Sequence, residues 1–170
     1  MIEISLTQGE ISLIDDEDFE EVSRYKWRIN RKKNSCYART NATDCNGKKI
    51  TLFIHQLVMN SKPGDQVDHK DHNGLNNQKY NLRFCTYSEN QQNKLKQIFY
   101  DGKKTLSKYK GVSWHRRDKK WIAQIVTSHK NNHLGYFVDE IEAAEAYNKA
   151  ALEKFGEFAE LNKIGRKVSW

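Results

Sequence analysis

Residues 67–90 read V-D-H-K-D-H-N-G-L-N-N-Q-K-Y-N-L-R-F-C-T-Y-S-E-N. Asp68-His69 sits on an apolar step, and Lys70-Asp71-His72-Asn73-Gly74 is turn chemistry. Adjacent residues at the end of a strand point to opposite sides unless the chain turns, and here a turn follows at once. Thr86-Tyr87-Ser88-Glu89 is a T-x-x-E capping box, so a helix starts at Thr86 and carries Asn90 in its first turns.

The residue types in that order define a chemistry. An aspartate is a hard oxygen ligand suited to Mg²⁺ or Mn²⁺, and a neutral histidine beside it can take a proton from water near pH 7. An amide such as Asn81 can donate and accept across a loop, and the Asn90 carbonyl is a second hard ligand. These are the parts needed to hydrolyse a phosphodiester with one divalent cation. Asn73, Asn76 and Asn77 read as loop residues making turns.

The segment closely resembles the HNH nuclease motif found in homing endonucleases of phages and mobile introns. The resemblance implies catalytic roles for His69, Asp68, Asn81 and Asn90, with Asp68 and Asn90 on one Mg²⁺ or Mn²⁺ per active site and Asn81 holding the loop in shape. Asn93 is a substitute ligand. His72 departs from the small residue usual in this loop and is a phosphate contact or idle. His55, in L-F-I-H-Q-L-V, resembles a recurring family histidine and reads as a satisfied, half-buried side chain.

Charge supplies a second line of argument. Residues 1–93 hold 13 Lys/Arg and 13 Asp/Glu, whereas residues 94–170 hold 16 and 9, a difference of 7 that equals the net charge of +7. Arg24 to Lys49 adds a local basic stretch of nine cations against Asp44. Two separated basic regions suit a polyanion touched at more than one place. No apolar run approaches the ~20 residues of a membrane span, and the N-terminus lacks a signal-peptide pattern, so no membrane partner and a cytoplasmic location are expected. Cys36, Cys45 and Cys85 are too scattered for a disulfide framework or a zinc site, and read as buried or idle thiols.

Outward from the motif, residues 2–14 alternate around Gln8-Gly9 like a hairpin, and Asp15 to Asp18 caps a helix running to about Tyr25. Trp27 to Ile29, Cys36 to Thr43 and Lys49 to Ile54 read as strands, the last two joined at Asn46-Gly47. Ile54 to Met59 begins a short helix or continues the strand. Further on, Tyr109 to His115, Trp121 to Thr127 and His133 to Phe137 read as strands, with turns at Arg117-Asp118-Lys119 and Lys130-Asn131-Asn132. Asp139 to Phe155 is a helix with Ala143, Ala146, Tyr147 and Ala150 on one face, stopped by Gly156.

In that second region Tyr-x-Gly-Val, Trp-x-Ala-x-Ile, Leu-Gly-x-Phe, Ala-Ala-x-Ala-Tyr and Leu-Asn follow in order over residues 109–162. Together they resemble the plant ethylene-response-factor (Apetala-type) DNA-binding domain. The resemblance implies a sheet that enters the major groove, a groove wide enough for strands. Parity turns Trp121, Ala123 and Ile125 toward the helix and Lys120, Gln124 and Val126 toward DNA. Lys110, Ser113, His115, Gln124 and His133 fall where that family places its contacts, and Arg116 and Arg117 occupy a turn one residue longer than usual. Ser113, Val126 and His133 replace Arg, Arg and Trp.

The expected architecture is α+β: an HNH ββα-metal nuclease domain over 1–98, a linker over 99–107, a three-stranded antiparallel sheet packed on one helix over 108–164, and a tail over 165–170. The expected protein is a phage- or mobile-element-type endonuclease cutting double-stranded DNA as a monomer or weak homodimer. DNA-contact candidates are Lys110, Ser113, His115, Arg116, Arg117, Lys120, Gln124 and His133. The alternative is a transcription-factor-like protein with an inactive nuclease half.

Overall fold

The structure, a computed structural model, describes residues 1–32, 35–44, 46–100, 102–127 and 130–165. Cys45 and all but the first residue of the expected tail lie outside the described residues. The chain is mixed α and β and divides into two compact units, Met1–Tyr87 and Ser88–Trp170. Among the described residues no helix is long and apolar enough to cross a membrane.

In the first unit, β1 (Ile2–Ser5) and β2 (Ile11–Ile14) form the antiparallel hairpin that the alternation predicts, with Ile2 opposite Ile14. Their inward positions are Ile4, Ile14 and, unusually, Ser12, which is fully buried. The acidic segment makes a single 3₁₀ turn and then a short α1 (Phe19–Val22), ending before Tyr25. The Trp27 indole donates to the Val22 carbonyl at 2.8 Å and so closes the helix early.

A meander of β3 (Arg28–Lys32), β4 (Ser35–Thr43) and β5 (Lys49–Phe53) follows. Asp44 organises the β4–β5 turn, its carboxylate accepting from the Asn46 and Lys48 amides at 3.0 and 2.9 Å. The chain then enters α2 (Ile54–Val58) without a loop. Ile14, Val22, Trp27, Ala38, Ile54 and Leu82 pack into one core, which fixes α2 and the site strands against the hairpin and meander.

The motif itself forms β6 (Gln66–His69) and β7 (Leu82–Cys85), paired antiparallel with Asp68 opposite Arg83 and His69 opposite Leu82. Helix α3 (Tyr87–Gln92) follows in sequence. The loop between β6 and β7 is pinned by β2: the Leu13 amide donates to the Leu75 carbonyl, and the Asn77 amide to the Leu13 carbonyl, both at 2.8 Å.

Gly74 marks the closest approach of that loop to β4. A Cβ there would lie 2.3 Å from the Cys36 carbonyl oxygen and 2.6 Å from the Tyr37 ring. Gly74→Ala must therefore push the loop off β4. The expected loss is about 1–3 kcal/mol of stability, read from the urea midpoint.

In the second unit, residues 99–107 carry a short strand pair, β8 (Phe99–Tyr100) with β9 (Lys103–Lys104). Strands β10 (Val112–His115), β11 (Lys120–Thr127) and β12 (Lys130–Phe137) form an antiparallel sheet in that order. Lys130, Asn131 and Asn132, expected in a turn, belong instead to β12 and pair with Thr127, Val126 and Ile125. The Asn132 amide reinforces this ladder end, donating to Thr127 Oγ1 at 2.6 Å. Pairing with a neighbouring strand can outweigh the low β-propensity of Lys and Asn.

Helix α4 (Glu140–Phe155) packs on this sheet, capped by Asp139, whose carboxylate accepts from the Ile141 amide. Its buried residues are Ala143, Ala144, Tyr147 and Ala151, with Ala146 and Ala150 only partly covered. Small residues bring the helix close, and Ala123, Ile125 and Trp121 face it, as strand parity predicts. A register shift at Ala123/Gln124 lets Leu134 and Phe137, three apart in β12, both reach the core. Asn162, in the closing Leu-Asn pair, bonds reciprocally to the Lys110 backbone at 2.6 and 3.0 Å and so ties the chain end to the start of the sheet.

Candidate functional site

Pleating separates the two leading side chains of the motif. His69 opposes the core residue Leu82, whereas Asp68 opposes and meets Arg83. Both are buried, at 5% and 7% exposure, so each needs a polar partner.

For Asp68 that partner is the guanidinium of Arg83. Its Nε and Nη2 both donate to Oδ2, at 3.0 and 2.8 Å. Arg83 thus supplies counter-charge and orientation to a carboxylate that burial would otherwise penalise. Arg83 stood in the motif without an assigned role; only the cross-strand register reveals it.

For His69 the partner is Asn77, whose Oδ1 lies 3.1 Å from the ring Nε2. The Asn77 Nδ2 donates to Ser12 Oγ at 2.8 Å, and that hydroxyl donates to the Leu75 carbonyl at 3.0 Å. Asn77 is fully buried, so it is not the turn-making residue expected of it. Nothing in the local sequence separates it from Asn73 and Asn76, which do make loop bonds. The discriminating contact comes from β2, more than sixty residues away in the chain.

Around the ring stand three further aromatics. His55 meets His69 edge to face at 5.1 Å between centroids, Tyr37 lies 5.8 Å away, and Phe53 stacks on His55 at 5.3 Å. Burial lowers the proton affinity of His69, against the upward pull of its Asn77 bond and of the Asp71 and Asp68 charges. Burial, with His69 second, pushes His55 down to about 3.

His55 therefore carries a stability consequence. Its folded value lies below the unfolded 6.5, so the unfolded chain binds the proton more readily. The stability is complete above pH 6.5 and is lost as pH falls from there toward 3. Between pH 6.5 and 4 the cost is about 3 kcal/mol at 1.36 kcal/mol per unit. Urea titrations across that range are expected to show the decline, and His55→Phe to flatten it.

The loop is braced from within. Asn81, 2% exposed, donates to Asp71 Oδ1 at 2.9 Å and the Asn76 carbonyl at 2.8 Å, and accepts from the Asp71 amide at 3.0 Å. Burial raises the Asp71 carboxyl, but bonds from Asn76, Asn73 and Asn81 outweigh it and hold the group below its usual range. Asn90 sits on α3, Asn93 is buried just beyond that helix, and His72 occupies a positive-φ loop position. Among the described residues no three His, Cys, Asp or Glu side chains gather into a metal-binding group.

In the second unit, Ser113, Lys120, Gln124 and His133 are exposed on the sheet and Arg116 and Arg117 in the β10–β11 turn. His115 and His133 flank Tyr136, at 5.5 and 4.7 Å between centroids, and His115 also faces the Asp118 carboxylate at 3.2 Å. Lys110 is placed differently: its ammonium donates to the Gln92 and Lys94 carbonyls, and burial lowers it to about 8.

No family model matches the chain. A relative described as an uncharacterized HNH endonuclease, from Acanthamoeba polyphaga mimivirus, is 36% identical over 145 residues, spanning 84% of this chain and 70% of the relative. That identity over most of both chains accompanies a hairpin presenting Asp68 and His69 ahead of the Asn81 brace, and the chain belongs to the HNH endonuclease family.

Proposed function

We propose that the protein is a metal-dependent DNA endonuclease that cuts with the first motif and holds duplex DNA with the outer face of β10–β12. The observation that carries this reading is the buried His69–Asn77 pair. A ring whose proton affinity is lowered and whose orientation is held can take a proton from water near neutral pH.

Asp68 and Asn90 are the proposed ligands of one Mg²⁺ or Mn²⁺. A carboxylate with an amide oxygen suits a hard cation. When bound, such a cation supplies Lewis-acid stabilisation of charge on the phosphate and on the leaving 3′-oxygen. His69 accepts a proton from the attacking water, whose oxygen bonds to phosphorus as the P–O3′ bond breaks. The leaving O3′ takes a proton from solvent water, and the products are a 5′-phosphate and a 3′-hydroxyl. Asn81 acts as a positioning residue through the loop.

Phosphate chemistry is indifferent to sequence, so targeting falls to base contacts elsewhere. The ethylene-response-factor-like motif order, and the exposed Ser113, Lys120, Gln124 and His133, support the sheet as that reader. Arg116 and Arg117 are proposed phosphate contacts. An end-labelled duplex incubated with Mg²⁺ tests the reading. Fragments ending in 5′-phosphate and 3′-hydroxyl, with duplex DNA outcompeting structured RNA at one salt concentration, are expected. Cleavage of RNA alone contradicts it.

A further inference from the structure

We infer that Ser12, on β2, is a positioning residue that decides which nitrogen of His69 carries the proton. The inference rests on the reading of His69 as the base and names how that base is prepared.

The argument is an inventory of protons. A serine hydroxyl has a single proton, an amide has a donor end and an acceptor end, and a neutral imidazole has one of each. Leu75 O, Ser12 Oγ, Asn77 and His69 Nε2 form a line with contacts of 3.0, 2.8 and 3.1 Å. Ser12 and Asn77 are both 0% exposed, which keeps bulk water from the line. Two directions of proton donation are conceivable.

In the first, Ser12 donates to Leu75 O and accepts from Asn77 Nδ2. The Asn77 Oδ1 then faces His69 and requires a proton on Nε2, which makes Nδ1 the proton-accepting nitrogen of the neutral ring. In the second, the amide is reversed and the Ser12 proton turns to Asn77. That leaves Ser12 Oγ and Leu75 O, two acceptor oxygens, 3.0 Å apart with no proton between them. Two buried acceptors in contact are unfavourable, so the first direction prevails.

The preference originates in the hydroxyl. Without it, the constraint that keeps the Asn77 amide in one orientation is gone, and the hold of Asn77 on the His69 Nε2 proton weakens. Ser12 touches no reacting atom; it acts through Asn77, as an outer-shell partner orients an inner one.

Imidazole ¹⁵N shifts of the full chain, recorded at alkaline pH and assigned to His69 by comparison with His69→Gln, test this. The unsubstituted protein is expected to show the Nε2–H tautomer alone, and Ser12→Ala a mixture with Nδ1–H. Should Ser12→Ala not fold, Ser12→Cys fills the site with a slightly larger side chain and a much weaker donor, and the same mixture is expected. In the folded variant kcat falls about tenfold to a hundredfold with DNA affinity unchanged. An Nδ1–H tautomer in the unsubstituted protein, or unaltered His69 shifts in the Ser12 variant, overturns the inference. The shifts are read without DNA or metal, so an absence of cleavage would count against the nuclease reading and leave this test standing.

Discussion

His69→Ala is expected to lower DNA cleavage by about a thousandfold or more while leaving DNA affinity at matched salt unchanged. Loss of a positioned base removes the acceptor for the water proton, and none of the neighbouring rings substitutes. His55 lies 5.1 Å away but is held neutral by burial down to about 3, too weak a base for the task. Tyr37 and Phe53 supply shape only. The substitution also empties space beside half-buried aromatic side chains, so a urea midpoint must accompany the assay; a folded, DNA-binding, inactive variant is the expected outcome. A folded variant that cuts at the unsubstituted rate contradicts the role of His69.

Asn81→Ala is expected to destabilise the first unit by about 3 kcal/mol, because burial makes every lost partner count. The side chain satisfies the Asp71 amide, the Asp71 carboxylate and the Asn76 carbonyl together, at 2.8–3.0 Å. Asn81→Asp is the sharper probe. It keeps the size and the acceptor, loses both donations, and sets a second carboxylate against Asp71. Equal damage from both substitutions, read from denaturant midpoints, is the expected result. A harmless Asn81→Asp would mean that the donations to Asp71 and Asn76 contribute little.

The motif was legible because its signals are local. Turn residues, a returning apolar strand and a T-x-x-E box follow one another within residues 67–90, and the β6–β7 hairpin and α3 form there. Strand parity likewise oriented Ala123 and Ile125 toward α4. What stayed hidden is long-range or cross-strand. Asn77 looks like any loop asparagine until β2 delivers Ser12 to it, and Arg83 meets Asp68 only through the hairpin register. The turn expected at Lys130 to Asn132 is absent for a related reason. Its composition is that of a turn, but pairing to β11 carries the ladder through it.

Supercoiled plasmid incubated with the purified protein and Mg²⁺, Mn²⁺ or EDTA, in parallel with His69→Ala, tests the central claim most directly. The account predicts conversion to open-circular or linear DNA with either metal, and intact supercoiled plasmid with EDTA or with His69→Ala. Intact plasmid under every metal condition, or equal conversion by His69→Ala or in EDTA, would contradict it.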